Sequence, residues 1–130
     1  GDCRPAHCDP RAIRAAVEKR IGEIRVRFPM FRHLAVKQAA RRLPADGASV
    51  YHAHVVRPLV DLLRCVHCPE RHDYGLRYLR DDLPEAEYRV VCRLCYPRDV
   101  EAIPGLVREA TDLFERTLAA WDARGGLGRA

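Results

Sequence analysis

"RCVHCPERHDYGLRYLRDDLPEAEYRVVCRLCYPRD", residues 64–98, contains two Cys-x-x-Cys pairs of identical spacing, Cys65/Cys68 and Cys92/Cys95. How this stretch is read decides the fold. A two-residue gap lets a tight turn aim both sulfurs at one point, and two such turns supply the four soft ligands at about 2.3 Å that tetrahedral zinc prefers. The residues between Cys68 and Cys92 suffice for a short hairpin. Tyr74–Leu79 and Glu87–Val91 read as its strands, around the turn Asp81-Asp82-Leu83-Pro84. The expectation is one structural Zn2+ on Cys65, Cys68, Cys92 and Cys95, a closed site that holds the fold and leaves no open position for catalysis.

The six cysteines, at 3, 8, 65, 68, 92 and 95, are even in number, which by itself permits a disulfide framework. The matched pairs argue for metal instead. Redox chemistry needs one low-pKa thiolate, usually at a helix N-terminus in a βαβ setting, and one pair suffices for it. Iron sites of the rubredoxin type carry a glycine after each knuckle, where this chain has Pro69 and Tyr96.

A second knuckle preceded by a strand and followed by a helix is similar to the treble-clef arrangement, and two knuckles on hairpins resemble a zinc ribbon. The likeness covers residues 65 to about 120, rests on the four cysteines, and implies a structural type. HNH-like nucleases, some with two such pairs around a ββα unit, need a histidine base on the hairpin and further ligands for a catalytic metal. His72-Asp73 imitates the first part. Tyr96 stands where a histidine is commonly seen, and no histidine follows His72. A zinc deaminase has no counterpart, since His52-Ala53-His54 lacks the glutamate and neither pair has a preceding proline.

The flanks read as helices. Asp9-Pro10 is a cap followed by proline at the first helical position, and Ile13, Val17, Ile21, Ile24 and Phe28 recur every three or four residues up to an end at Pro29. A second helix is expected from about Met30 to Leu43, closed by the turn Pro44-Ala45-Asp46-Gly47. Ser49 caps a third, with Val55, Val56, Leu59, Leu62 and Leu63 on one face, interrupted or kinked at Pro58. After the second knuckle Asp99 caps a short turn, and Pro104 opens a long helix ended by Gly125-Gly126. The fold class is therefore α+β, mainly α: an Arg-rich helical region over 1–64, a zinc-ribbon or treble-clef-like hairpin over 65–98, and a C-terminal helix within 99–130 packing on the rest, one domain overall.

Charge is unevenly placed: the chain carries a net +5, yet residues 1–44 hold eleven Arg or Lys against four acids, and the remainder twelve against fourteen. Arg11, Arg14, Arg25, Arg32, Arg41 and Arg42 are candidates for phosphate contacts. Glu18 and Glu23 among them suit an ordinary solvated face instead. Arginine outnumbers lysine twenty-one to two through both halves, which fits the codon bias of a GC-rich genome. A second metal site is drawn from Cys3, Cys8, His52 and His54, with His7 nearby. On a helix, His52 and His54 point about 200° apart, so only one of them joins the cysteines. The stripe Leu113, Phe114, Leu118 and Trp121 either packs inward or anchors a partner.

These features predict a non-enzymatic, zinc-stabilised binding module, a regulatory or accessory subunit that touches nucleic acid through the Arg-rich helices. The alternative is a protein-protein adaptor or homo-oligomeric scaffold using the hairpin and last helix, and a metal-dependent nuclease ranks third. No run approaches the roughly 20 apolar residues of a membrane span, and the expected compartment is cytoplasmic or nuclear, and reducing.

Overall fold

The computed structural model describes residues 9–128. Six α-helices follow in order: α1 (Pro10–Ala40), α2 (Pro44–Tyr51), α3 (Arg57–His67), α4 (Leu79–Asp82), α5 (Glu85–Cys95) and α6 (Ile103–Arg124), with a π-helical turn, His52–Val56, joining α2 to α3. No strand occurs among the described residues. The mainly helical expectation holds, and the strands expected for a zinc-ribbon or treble-clef-like hairpin are not found among the described residues.

Residue chemistry explains why each strand gives way to a helix or a turn. Glu87–Val91 lies inside α5, where Tyr88, Val91 and Leu94 recur every three residues and pack inward. Pro84 just before the first turn, Glu85 and Glu87 within it and Arg93 in the last turn all suit a helix and its dipole. Tyr74–Leu79 is a run of turns in which Gly75 (φ 64°) and Tyr78 (φ 60°) adopt the left-handed conformation, followed by the short α4. Such backbone pairs with no neighbouring strand.

The boundary expected at Pro29 is absent, because α1 runs straight through it as 31 residues. Proline inside a helix costs about 3 kcal/mol. Here Pro29 lies on the exposed side, while Phe28, Ala35 and Ala39 on the buried side keep one apolar face continuous across it. Phe28 stacks on Phe114 with ring centroids 4.0 Å apart and planes 10° from parallel. Tertiary packing on both sides of the proline outweighs its local penalty. At Pro58 the expected interruption takes the form of the π-turn, in which the Arg57 N–H donates to the His52 carbonyl.

Cross-contacts give the layout. Along α1, Ala39 lies near Gly47, Phe31 against His54 and Arg20 on Asp61, so α2, the π-turn and α3 run antiparallel to it. α6 also runs antiparallel to α1, with Ile103 against Gly47 at one end and the Arg124 guanidinium donating to the Val66 carbonyl at the other. One apolar core draws on α1, α2, α3, α5 and α6 together.

Arg64 of α3 is a charged residue at the heart of this core, with no accessible surface. Its guanidinium donates to the carbonyls of Gly75, Arg71 and Arg77, to the Asp82 carboxylate at 2.7 Å and to Cys68 Sγ at 3.6 Å. A buried cation is tolerated only when it is paired and its donors are satisfied. The irregular stretch 71–82 therefore wraps around Arg64.

Candidate functional site

Each cysteine pair closes a helix. Cys65 and Cys68 are buried at the C-terminal end of α3, whereas Cys92 is exposed and Cys95 half-buried at the end of α5. Helix C-termini disfavour thiolates, since carbonyl oxygens and the negative dipole end face them. Burial pushes the Cys65 thiol up to about 12, with Asp61 adding to the shift. Burial also raises Cys68, against the pull of Arg64, and raises Cys95, helped by Cys92. Among the described residues no three His, Cys, Asp or Glu side chains gather in a way that could hold a metal ion. Each pair belongs to a different helix end.

Cys3, Cys8 and His7 lie outside the described residues. The histidines assigned with them take separate neighbours: the ring of His52 meets Tyr51 edge-on at 5.5 Å, and that of His54 packs on Phe31 at 5.3 Å.

The six arginines are strung along α1 and just past its end. Arg25 is engaged by Asp122 of α6 through two hydrogen bonds of 3.0 and 2.7 Å. That hydrogen bonding raises Arg25 and holds the Asp122 carboxyl below its ordinary value. Arg11 and Arg14 open α1, Arg32 sits in its last third, and Arg41 and Arg42 follow its end, a spread of about 45 Å at 1.5 Å per residue. These five make no ion pair among the described residues. Of the two readings of the α6 stripe the structure takes the inward one: Leu113, Phe114 and Trp121 are buried and Leu118 packs against the core, because α6 uses that face to cover α1 and α3.

What the fold does bring together is a groove between α1, the π-turn and α3. Two adjoining hollows, of about 170 and 360 Å³, share Arg20 as a wall. The first is lined by Ile24, Arg27, Ala53, His54 and Pro58. The second is lined by Lys19, Glu23, Arg57, Asp61, His72 and Asp73. Asp61, almost fully buried, accepts from Arg20 at 2.6 Å and from Arg57 at 3.2 Å, so one carboxylate aligns two guanidiniums. Gly75 leaves room for this: a Cβ there would stand 3.1 Å from the Arg57 guanidinium. The wall holds four permanent cations, Lys19, Arg20, Arg27 and Arg57, against three acids, Glu23, Asp61 and Asp73.

None of these four cations is among the arginines singled out from sequence. The readable signal was "LVDLLRCV", residues 59–66, where Asp61 and Arg64 stand inside an apolar helical run and require partners from other elements. His72-Asp73, which imitated a nuclease base, lies at the mouth of the second hollow without the ββα unit that resemblance requires.

In comparison with known proteins, the chain matches no protein-family model, no curated protein and no solved structure.

Proposed function

We propose that the chain is a non-enzymatic binding module that contacts the phosphates of nucleic acid along α1, as a regulatory or accessory subunit. The observation that supports this reading is the groove wall of Lys19, Arg20, Arg27 and Arg57, two of them oriented by buried Asp61. Guanidinium groups aligned in advance lose less conformational freedom when they meet a phosphate oxygen. Lys19 and Arg27 stand eight residues apart on α1, about 12 Å at 1.5 Å per residue, so the two can meet different phosphates of one strand. Arg11, Arg14, Arg32, Arg41 and Arg42 extend the positive field to both ends of the helix.

The phosphate-contacting surface rests on α1 and α3, and the structural Zn2+ expected on Cys65, Cys68, Cys92 and Cys95 would stabilise the module outside that surface. The alternatives are a protein-protein adaptor or homo-oligomeric scaffold and, third, a metal-dependent nuclease.

Titrating a labelled oligonucleotide at several salt concentrations tests the proposal. The affinity is expected to fall log-linearly with salt, and a Lys19→Ala/Arg27→Ala double substitution to weaken binding on every sequence and flatten the slope by about 2. The proposal is overturned if neither duplex nor single strand binds at about 0.1 M salt, or if the double variant keeps the parent's slope.

A further inference from the structure

Aromatic rings with arginines beside them stand at both ends of the groove. At the first hollow, the His54 ring packs on Phe31 at 5.3 Å, and the Arg27 guanidinium lies 5.9 Å from the Phe31 centroid. Arg27 and His54 also line that hollow. At the second hollow, His72 and Asp73 form part of the rim, and the chain runs on from them into Tyr74 and Tyr78, whose ring centroids are 6.2 Å apart. Gly75, between the two tyrosines, lies against the Arg57 guanidinium, so this stretch is continuous with the groove wall. Arg71 stands 5.5 Å from the Tyr74 ring and 5.9 Å from the Tyr78 ring, and Arg77 stands 5.1 Å from Tyr74. Lys19, Arg20 and Arg57 lie between the two aromatic groups. Ring, cation and ring thus alternate along α1 from Ala16 to Phe31, about 22 Å at 1.5 Å per residue.

Tyr78 is the member of this arrangement that the chain's own packing explains least. Its backbone is left-handed at φ 60°, a conformation that glycine or asparagine adopts at lower cost. The residue is 60% exposed, so burial of the ring does not offset that strain. Arg71, paired with Asp82 at 3.2 Å, is held beside it. Arg77 is exposed and makes no ion pair among the described residues. An open ring flanked by guanidinium groups is a surface on which a nucleobase stacks. Bases in a duplex already stack on one another and present only their edges, whereas an unpaired strand offers the face of each base. We infer that the groove selects single-stranded nucleic acid: phosphates meet Lys19, Arg20 and Arg57, while unpaired bases stack on Tyr78 with its arginines at one end and on the Phe31 and His54 pair at the other. This inference rests on the phosphate contact proposed along α1 and names the form of nucleic acid that the same site takes.

Fluorescence anisotropy of the full chain tests the selection, with a labelled oligothymidylate of about 16 nucleotides, the upper site size of one single-strand module, and a mixed-sequence duplex of equal length at the same salt concentration. The single strand should bind more tightly than the duplex by about tenfold or more. Tyr78→Asn should weaken single-strand binding by about tenfold, the loss of one stacked base, and leave duplex binding unchanged. Its melting temperature should stay close to the parent's, because asparagine tolerates the φ of 60° better than tyrosine does, which separates lost stacking from lost folding. Tyr78→Phe keeps the ring and should keep the parent's affinity. The Tyr78→Asn/His54→Ala double variant should lose more single-strand affinity while its salt slope stays that of the parent, since no permanent cation is removed. A duplex bound as tightly as the single strand, or a double variant with the parent's single-strand affinity, overturns the inference and leaves the phosphate contact standing. Binding of neither form removes the phosphate contact and the inference with it.

Discussion

Cys65-Val-His-Cys68 and Cys92-Arg-Leu-Cys95 share their spacing and their place at the end of a helix, and their surroundings differ in every other respect. The first pair is buried and sits beside Arg64, whose guanidinium reaches Cys68 Sγ and ties the 71–82 stretch to α3. The second lies at the surface, where Cys92 is exposed and its nearness raises the Tyr88 hydroxyl. Arg64 immediately precedes Cys65, and the position before Cys92 is Val91, a buried apolar residue that packs α5 to the core. The lesson is that a spacing specifies what two thiols can do only if their backbone is free to form a turn. Here helical packing claims the backbone of both pairs first.

Arg64→Ala is the largest perturbation this comparison suggests. It strips Asp82 of its buried partner and leaves the Gly75 and Arg77 carbonyls without a donor, so unfolding free energy should drop by about 3–5 kcal/mol. Arg93→Ala next to the second pair removes only the exposed ion pair with Glu109 and should cost no more than about 0.5 kcal/mol. Denaturant midpoints of the two variants measure the contrast, and equal losses would break it.

Thiol labelling of the native protein should separate the pairs next. Cys92 is exposed, while Cys65 is buried with its thiol near 12 and needs an opening of the core to react. An opening free energy of about 4 kcal/mol slows Cys65 by about a thousandfold. Mass-resolved labelling in the folded state reads the ratio.

Serine substitution sharpens the same point. Cys65→Ser places a hydroxyl without a partner in the core, at a cost of about 1–3 kcal/mol, whereas Cys92→Ser stays within about 0.5 kcal/mol. Chelator treatment extends the comparison: the melting temperature should stay unchanged if the pairs act separately and fall if they share one zinc. Equal and large losses in both variants, with one zinc per chain by elemental analysis, would join the pairs in one centre and end the comparison.

The smallest effect concerns the exposed Arg25–Asp122 pair, set against the buried Arg64–Asp82 pair. Hydrogen bonding from Arg25 lowers the folded-state pKa of Asp122 below its ordinary 3.8. Its stabilising contribution is therefore fully present above about pH 4 and is lost as pH falls through the lower folded value. The stability difference between parent and Asp122→Asn should be constant from about pH 5 to 8 and vanish toward about pH 2.

The sequence by itself determined the helices whose apolar residues recur over several turns. The Asp9-Pro10 cap, the Val17–Phe28 face and α6 with its Gly125 end (φ 75°) stand where periodicity and capping put them. It also showed Pro58 as a break, since a missing N–H is a local fact. Only the tertiary structure decided that α1 continues through Pro29, because the compensation comes from Phe114 and other residues distant in sequence. The 64–98 stretch was misread for the same reason. Its turns are shaped by Arg64 from inside the core and α5 is held by Leu94, whose carbonyl accepts from the Tyr51 hydroxyl at 2.5 Å. The groove was least legible of all. Arg20, Arg57 and Asp61 are far apart along the chain and meet only because α1 and α3 pack side by side, and a buried carboxylate chooses its cations through space.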